Sequence, residues 1–239
     1  MQMPKLVAQP IRARIRQEVT DRILDGRLPP LSPVRHAEVA EELGVSVTPL
    51  REALIELARE GLLEARPNRG FVVAPFGERE LRDLYETIGM LETAALRGHL
   101  PEPSRYDRLE ALNRDLGEAG GDPWRAVKLD IEWHRELLAD DPNEIRREVL
   151  DGLKLRAVRY AYAYLREVGR IPRSVEQHGT ILERLRAGDV AAAVRELEDN
   201  WRPRRMLEWL EDYEKRTSGA APLEQPTRSR LVSRPPPRA

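Results

Sequence analysis

The sequence predicts a mainly α-helical chain in two parts: a unit of three helices and a β-hairpin, followed by an all-helical antiparallel bundle. Three observations carry this reading. Ala, Leu, Arg and Glu dominate the 239 residues, and the only aromatics are Phe 2, Tyr 6 and Trp 4, a helix-forming composition that speaks against an all-β fold. Apolar residues recur at helical spacing almost throughout, and short apolar runs of strand length occur together only near residues 62–73. Gly and Pro punctuate the periodic stretches at short intervals.

The elements follow in order. Ile11, Ile15, Val19, Ile23 and Leu24 form a helical stripe that ends at Gly26, before Leu28-Pro29-Pro30. A short helix from His36 to Leu43 turns Val39, Ala40 and Leu43 inward, and Gly44 stops it. Ser46 caps a third helix with Pro49 in its first turn, where a missing amide hydrogen costs little; it runs to about Glu60 with Leu50, Ala53, Leu54 and Leu57 buried. Leu62 to Ala65 and Gly70 to Val73, joined by Arg66-Pro67-Asn68-Arg69, read as a β-hairpin. The first domain is therefore residues 1–76, bounded by Pro75 to Glu78.

Residues 77–217 read as helices only. One starts with Leu81, Leu84, Tyr85, Ile88 and Leu91; a second covers Tyr106 to Ala119; a third opens at Asp122-Pro123 and reaches Leu138. A long helix from Pro142 to Arg166 is expected to break at Asp151-Gly152, Ser174 to cap the next, and Asp189 to cap a last helix kinked at Pro203. The Pro-, Ser- and Arg-rich stretch 218–239 has too few apolar groups to pack and reads as a disordered tail.

Composition excludes several classes. With no cysteine, disulfides, thiolate zinc sites, iron-sulfur clusters and cysteine nucleophiles drop out, which suits a reducing compartment. No signal-like leader and no run of about 18 apolar residues is present, so a cytoplasmic protein without membrane association is expected. The net charge of −1 is unevenly spread: residues 1–36 hold seven bases against three acids, 77–214 hold 23 bases against 30 acids, and 215–239 hold six against one. Basic ends around an acidic middle fit a polyanion held by the ends.

Helix, helix, short turn, helix and hairpin make a winged helix-turn-helix. The third helix would present Val47, Thr48, Arg51 and Glu52 to a major groove of double-stranded DNA, with the wing turn at Asn68, Arg69 and Gly70 reaching phosphates or the minor groove. Ser46 and the helix amides suit a phosphate, and Arg35 adds a base beside them. The competing reading is a winged helix used for protein contacts alone. The string VAEELGVSVTPLREALIELAREGLLEARPNRGFVVAPF resembles the DNA-binding domain of the GntR family of bacterial transcription regulators. Thr48, Pro49, Arg51, Glu52, Ala53 and Leu54 match its recognition helix, Glu60, Gly61 and Leu62 its exit, and Arg69, Gly70, Phe71 and Val72 its wing. Val47 stands where the family typically has a base-reading Arg, which implies a different operator preference.

In the acidic half, Asp130 and His134 lie four apart on one helix face, about 6 Å apart along the axis. His178 shares a stripe with Ile181, Leu182 and Leu185, and Asn200 lies near Leu197 and Trp201. Spacing leaves two readings open: a core histidine satisfied by an aspartate, the commoner arrangement, or an oxygen/nitrogen site for a divalent ion. Residues 78–212 resemble the helical FCD ligand-binding domain of the FadR branch of that family. Asp130 and His134 match its D-x-x-x-H pair; His178, Ile181, Leu182, Gly188 and Asp189 match its second landmark; the fourth ligand, usually His, falls on Asn200. The resemblance implies a divalent metal ion such as zinc, nickel or manganese, and beside it a small carboxylate effector. Ile88 replaces an arginine that holds this carboxylate in many members, with Arg156 and Arg159 as named substitutes.

The resemblance thus implies a regulator, commonly a repressor, that binds a pseudo-palindromic operator as a homodimer and responds to a small molecule. Two other classes compete for the same residues: a metal-dependent enzyme using Asp130, His134 and His178, against which the attached winged helix speaks, and a metal sensor in which the ion is the effector. His36 and His99 read as surface or helix-end residues, and Trp124, Trp133, Trp201 and Trp209 as core or dimer-contact anchors.

Overall fold

The computed structural model describes residues 11–67, 70–168 and 172–218. The N-terminal unit holds α1 (Ile11–Leu24), β1 (Pro33–Val34), α2 (His36–Leu43), α3 (Val47–Arg59), β2 (Leu63–Arg66) and β3 (Gly70–Val73). Ile15, Val19, Leu50, Leu54 and Leu57 form its core, fully or nearly fully buried against Phe71 and Val73 of the sheet. Truncating one of these leucines to Ala would cost about 2 to 5 kcal/mol, enough to unfold a small unit. Ile11, expected in the stripe, is half-exposed and outside the core.

The hairpin is joined by a strand that the sequence did not announce. β1 pairs antiparallel with β3 through Pro33–Val72 and Val34–Phe71, giving the order β1-β3-β2. Two residues are too few for an alternating pattern to show. Gly44, with φ +64°, ends α2 in the left-handed conformation that its Cβ-less backbone adopts without strain.

The helical unit holds α4 (Glu78–Gly98), α5 (Tyr106–Gly117), α6 (Pro123–Leu137), α7 (Glu144–Val168), α8 (Pro172–Arg186), α9 (Val190–Asn200) and α10 (Arg204–Ser218). Its core joins Leu81, Ile88, Leu96, Leu109, Trp133, Tyr160, Ile181 and Leu197. Three expectations are corrected. α7 runs unbroken through Asp151-Gly152, because Leu150, Lys154 and Ala157 are buried around the glycine and outweigh its cost of about 1 kcal/mol. Pro203 separates two helices instead of kinking one: α9 stops at Asn200, and the Pro203 carbonyl accepts from the Leu207 amide to start α10. Ser174 lies inside the first turn of α8, not at its cap. Asp122 and Asp189 do cap α6 and α9, each accepting a backbone N–H at 3.0 Å. α10 carries ordered helix to Ser218, and the remainder of the expected tail, 219–239, lies outside the described residues.

α7 packs against both units. Leu155 packs on the N-terminal core and Val158 on Leu24. Arg159, only 3% exposed, donates from Nη1 to the carbonyls of Ala74 (2.8 Å) and Pro75 (3.0 Å) in the connecting segment.

Candidate nucleic-acid interface and effector site

The buried stripe of α3 turns the opposite face to solvent, so Val47, Thr48, Arg51, Glu52, Ile55 and Arg59 are all exposed. Arg51 makes no ion pair among the described residues, which leaves its guanidinium fork open. Ser46 holds the N-cap position with extended backbone, yet its hydroxyl makes no capping bond. Water or a phosphate can take it. Arg35 flanks α2, exposed and paired with Glu38 at 2.9 Å. Gly70 opens β3 with φ +74°. Asn68 and Arg69, the tip of the wing, lie outside the described residues.

In the helical unit, Asp130, His134 and His178 come together with their candidate ligand atoms all within 4.8 Å of one another. Asp130 Oδ1 lies 3.7 Å from His178 Nε2, too far for a hydrogen bond. Both ring nitrogens of His178 are buried with no hydrogen-bond partner among the described residues, while its ring stacks on Trp133 with centroids 3.6 Å apart. Burial, and then the neighbouring His134, push its pKa well below the ordinary imidazole value, so it is neutral, the form that ligates. Burial raises the Asp130 carboxyl, with the His134 and Lys154 charges opposing.

A residue that the sequence reading overlooked organises this centre. Glu92 of α4 is fully buried and accepts from His134 Nδ1 at 2.8 Å and Trp201 Nε1 at 2.6 Å. Lys154 Nζ lies 2.5 Å from its other oxygen. Burial alone would raise this carboxyl, but His134 and Lys154 more than reverse that and hold it at about 2. A carboxylate on Nδ1 fixes the ring and leaves Nε2 free, the arrangement that supports a metal-bound histidine where an ion is held. The signal was available: Glu92 falls between Ile88 and Leu96 at steps of four, on the inward face of α4.

Asp130 and His134 open onto a cavity of about 250 Å³ that Asn200, Gln177, Tyr85 and Arg173 also line. Asn200 donates from Nδ2 to Gln177 Oε1 at 3.2 Å, so its oxygen is the atom left for a cation. Arg173 is paired with Asp199 at 2.8 Å, and exposed Arg205 at the mouth has no ion pair among the described residues. Arg156 and Arg159 do not line this cavity. Both lie at the domain junction, bonded to Glu80. Ile88 is buried in the core. Two imidazoles and one carboxylate suit a borderline divalent ion, and the two orphaned nitrogens of His178 fit that reading better than a self-satisfied core network.

Comparison with known proteins decides the family. The profile described as "Bacterial regulatory proteins, gntR family" matches residues 11–73, and that of the FCD domain matches residues 83–202. The chain belongs to the GntR family. Its GntR and FCD segments follow one another as the resemblance implied, and it is a transcription regulator, not the metal-dependent enzyme that the same residues would allow. One relative is the "Probable D-xylose utilization operon transcriptional repressor" of Paenarthrobacter nicotinovorans, 28% identical over 77% of this chain and 83% of that one. The "Nta operon transcriptional regulator" of Aminobacter aminovorans is 37% identical over 46% of this chain and 54% of that one. The solved structure of E. coli McbR/YncC shares the fold, with a TM-score of 0.68 at 21% identity over 86% of this GntR chain and all of that one. Among the described residues no helix is long and apolar enough to cross a membrane.

Proposed function

We propose that this GntR regulator is an effector-responsive repressor that binds a pseudo-palindromic operator as a homodimer. A small carboxylate, held in the helical domain beside a divalent ion, changes its DNA affinity. One observation carries the effector side: a buried His178 without hydrogen-bond partners among the described residues faces Asp130, beside a cavity with room for a small metabolite. Asp130, His134 and His178 would hold the ion, with Asn200 as a weaker fourth donor. When bound, the ion supplies positive charge for an anionic ligand. Arg173 and Arg205 add charge at the cavity, and Tyr85, whose phenol burial keeps protonated, offers a neutral hydroxyl.

On the DNA side, α3 would enter the major groove with Arg51 toward base edges, while Ser46, Thr48 and Arg35 meet the backbone and Asn68, Arg69 and Gly70 form the wing contact. One such module reads one half-site, so a two-fold dimer reads both halves of a palindrome. α7 supports coupling between the two ends: Lys154 on it pairs with Glu92, which bonds His134, while Leu155 packs on the DNA-binding core, Arg156 lies over Gly61 and Arg159 bonds the connecting segment. Such a protein works at the chromosome, in the cytoplasm.

The test is operator affinity on the chain's own upstream DNA, measured with chelator, with zinc, nickel or manganese, and with a panel of small carboxylates. Release by a carboxylate only when an ion is present supports the proposal. Release by the ion alone makes the protein a metal sensor, and salt-independent, equal affinity for all DNA overturns the regulator mechanism altogether.

A further inference from the structure

We propose that the junction between the two domains is a second ligand site, separate from the metal-side cavity, and that it takes a single-ring aromatic carboxylate. A cavity of about 140 Å³ lies there, walled by the end of α1, Pro29-Pro30 and the end of β3 from one domain, and by α7 and α10 from the other. An apolar cavity of about 150 Å³ holds benzene. The space therefore matches a single ring and excludes drug-sized molecules.

Three rings build the seat. Phe76, Trp209 and Tyr213 stand around one another at centroid distances of 5.5 to 6.0 Å, two of the pairs edge to face. A further ring packs against such walls in the same geometry.

Two guanidinium groups supply the charge. Arg159 lines the cavity, and both of its terminal nitrogens are bonded to the connecting segment or to Glu80. Its Nε, in a residue 3% exposed, has no hydrogen-bond partner among the described residues. A buried charged donor without an acceptor is rare in folded proteins, and a ligand oxygen would complete it. Arg166 is exposed at the mouth and has no ion pair among the described residues. It does not float free: its Nη1 lies over Gly26, where a Cβ would stand 2.5 Å from it, and Gly26 has φ +80°. The positive φ favours glycine here, and the missing Cβ leaves room for the end of this guanidinium.

Glu167 is the one carboxylate on the lining among the described residues, and it is already engaged by Trp209 Nε1 at 2.8 Å and Arg216 at 2.7 Å. With Arg159 paired to Glu80 and Glu167 to Arg216, the surplus positive charge on the lining is that of Arg166. α7 separates it from the metal-side cavity, which Ala161 and Leu165 face while Tyr162, Ala163 and Arg166 face the junction. A ligand here touches both domains, so it binds the docked arrangement and favours it over any other.

The probe is benzoate, titrated by calorimetry into the full chain with chelator present, alongside thermal melts. The variants are Arg166→Ala, which removes an exposed charge, Ala163→Leu, which fills the cavity, and Arg205→Ala at the mouth of the other cavity. Benzoate is expected to bind the wild type and raise its melting temperature. Losing a charged hydrogen-bond donor or the ring space should weaken it by about tenfold or more in the first two variants and by less than about twofold in Arg205→Ala. No binding to the folded wild type overturns the proposal, as does binding that survives Arg166→Ala or is lost in Arg205→Ala. Circular dichroism establishes that each variant is folded.

Discussion

The exposed face of α3 and the buried centre of the helical bundle each leave a polar group without a protein partner, and the two omissions differ in weight. Arg51 and the Ser46 hydroxyl are open to water, which satisfies them at no cost, so their freedom permits a DNA contact without demanding one. His178 is fully buried with both nitrogens unpaired. Each such group costs about 1 to 3 kcal/mol when nothing bonds it. The fold carries that cost beside a neighbouring carboxylate and histidine, at the edge of a cavity. A binding site on a surface is thus recognised by the pattern of what it presents, and one in a core by what the packing declines to satisfy.

The largest effect is expected where that omission lies. His178→Ala or His134→Ala should abolish metal binding, read by elemental analysis and calorimetric titration, and flatten the effector response while operator binding persists. Their side chains lie in a different unit from α3. If His178→Ala instead stabilises the protein and metal-free wild type ignores zinc, nickel and manganese, the centre is a core network and the contrast with α3 disappears.

Glu92→Gln comes next and probes the support of the site. The amide keeps the shape but removes the charge that Lys154 and His134 face, and breaking a buried pair in this way costs about 3 to 5 kcal/mol. Metal affinity should fall about 10- to 100-fold as His134 loses its orienting partner. A melting curve like that of wild type would show that Glu92 is not what holds α4, α6 and α7 together at this point.

The same contrast explains what could be read from the sequence. Recognition chemistry on α3 sits within a few residues of its own helix, so period, cap and the Thr48–Leu54 string locate Arg51 without knowledge of the rest. The Asp130/His134/His178 centre draws, with Glu92, Lys154 and Asn200, on five helices, and only the Asp130/His134 pair is local. Its convergence with His178 follows from inward-facing stripes, and Glu92 lies on such a stripe of α4, while Lys154 and Gln177 enter through packing that no spacing encodes. Arg156 and Arg159 illustrate the limit: α7 has more than one inward face, and periodicity does not say which neighbour each face meets. β1 and the Pro203 break were missed for local reasons, a pairing too short to have a pattern and a proline that can start a helix as readily as kink one.

Arg51→Ala should have a smaller and more selective consequence. Loss of a base-edge contact costs about 1 to 3 kcal/mol of operator affinity, with the melting temperature unchanged because the side chain is exposed and unpaired. Binding assays across operator variants would show relaxed preference at one position. A uniform loss across all sequences would move Arg51 from base reading to phosphate contact.

The smallest effect compares two helix caps. Replacing an N-cap serine or aspartate by Ala usually costs about 1 kcal/mol through the lost bond to a backbone N–H. Asp122 makes that bond to Arg125 at 3.0 Å, so Asp122→Ala should lower stability by about that amount and leave DNA affinity alone. Ser46 occupies the same position on α3 without making the bond. Ser46→Ala should therefore leave stability nearly unchanged and weaken operator binding by about 1 kcal/mol, the worth of one hydrogen bond to a phosphate. Denaturant melts and gel shifts on the two variants separate the outcomes. If Ser46→Ala costs as much stability as Asp122→Ala and spares DNA binding, the hydroxyl caps its helix in solution and the phosphate contact is withdrawn.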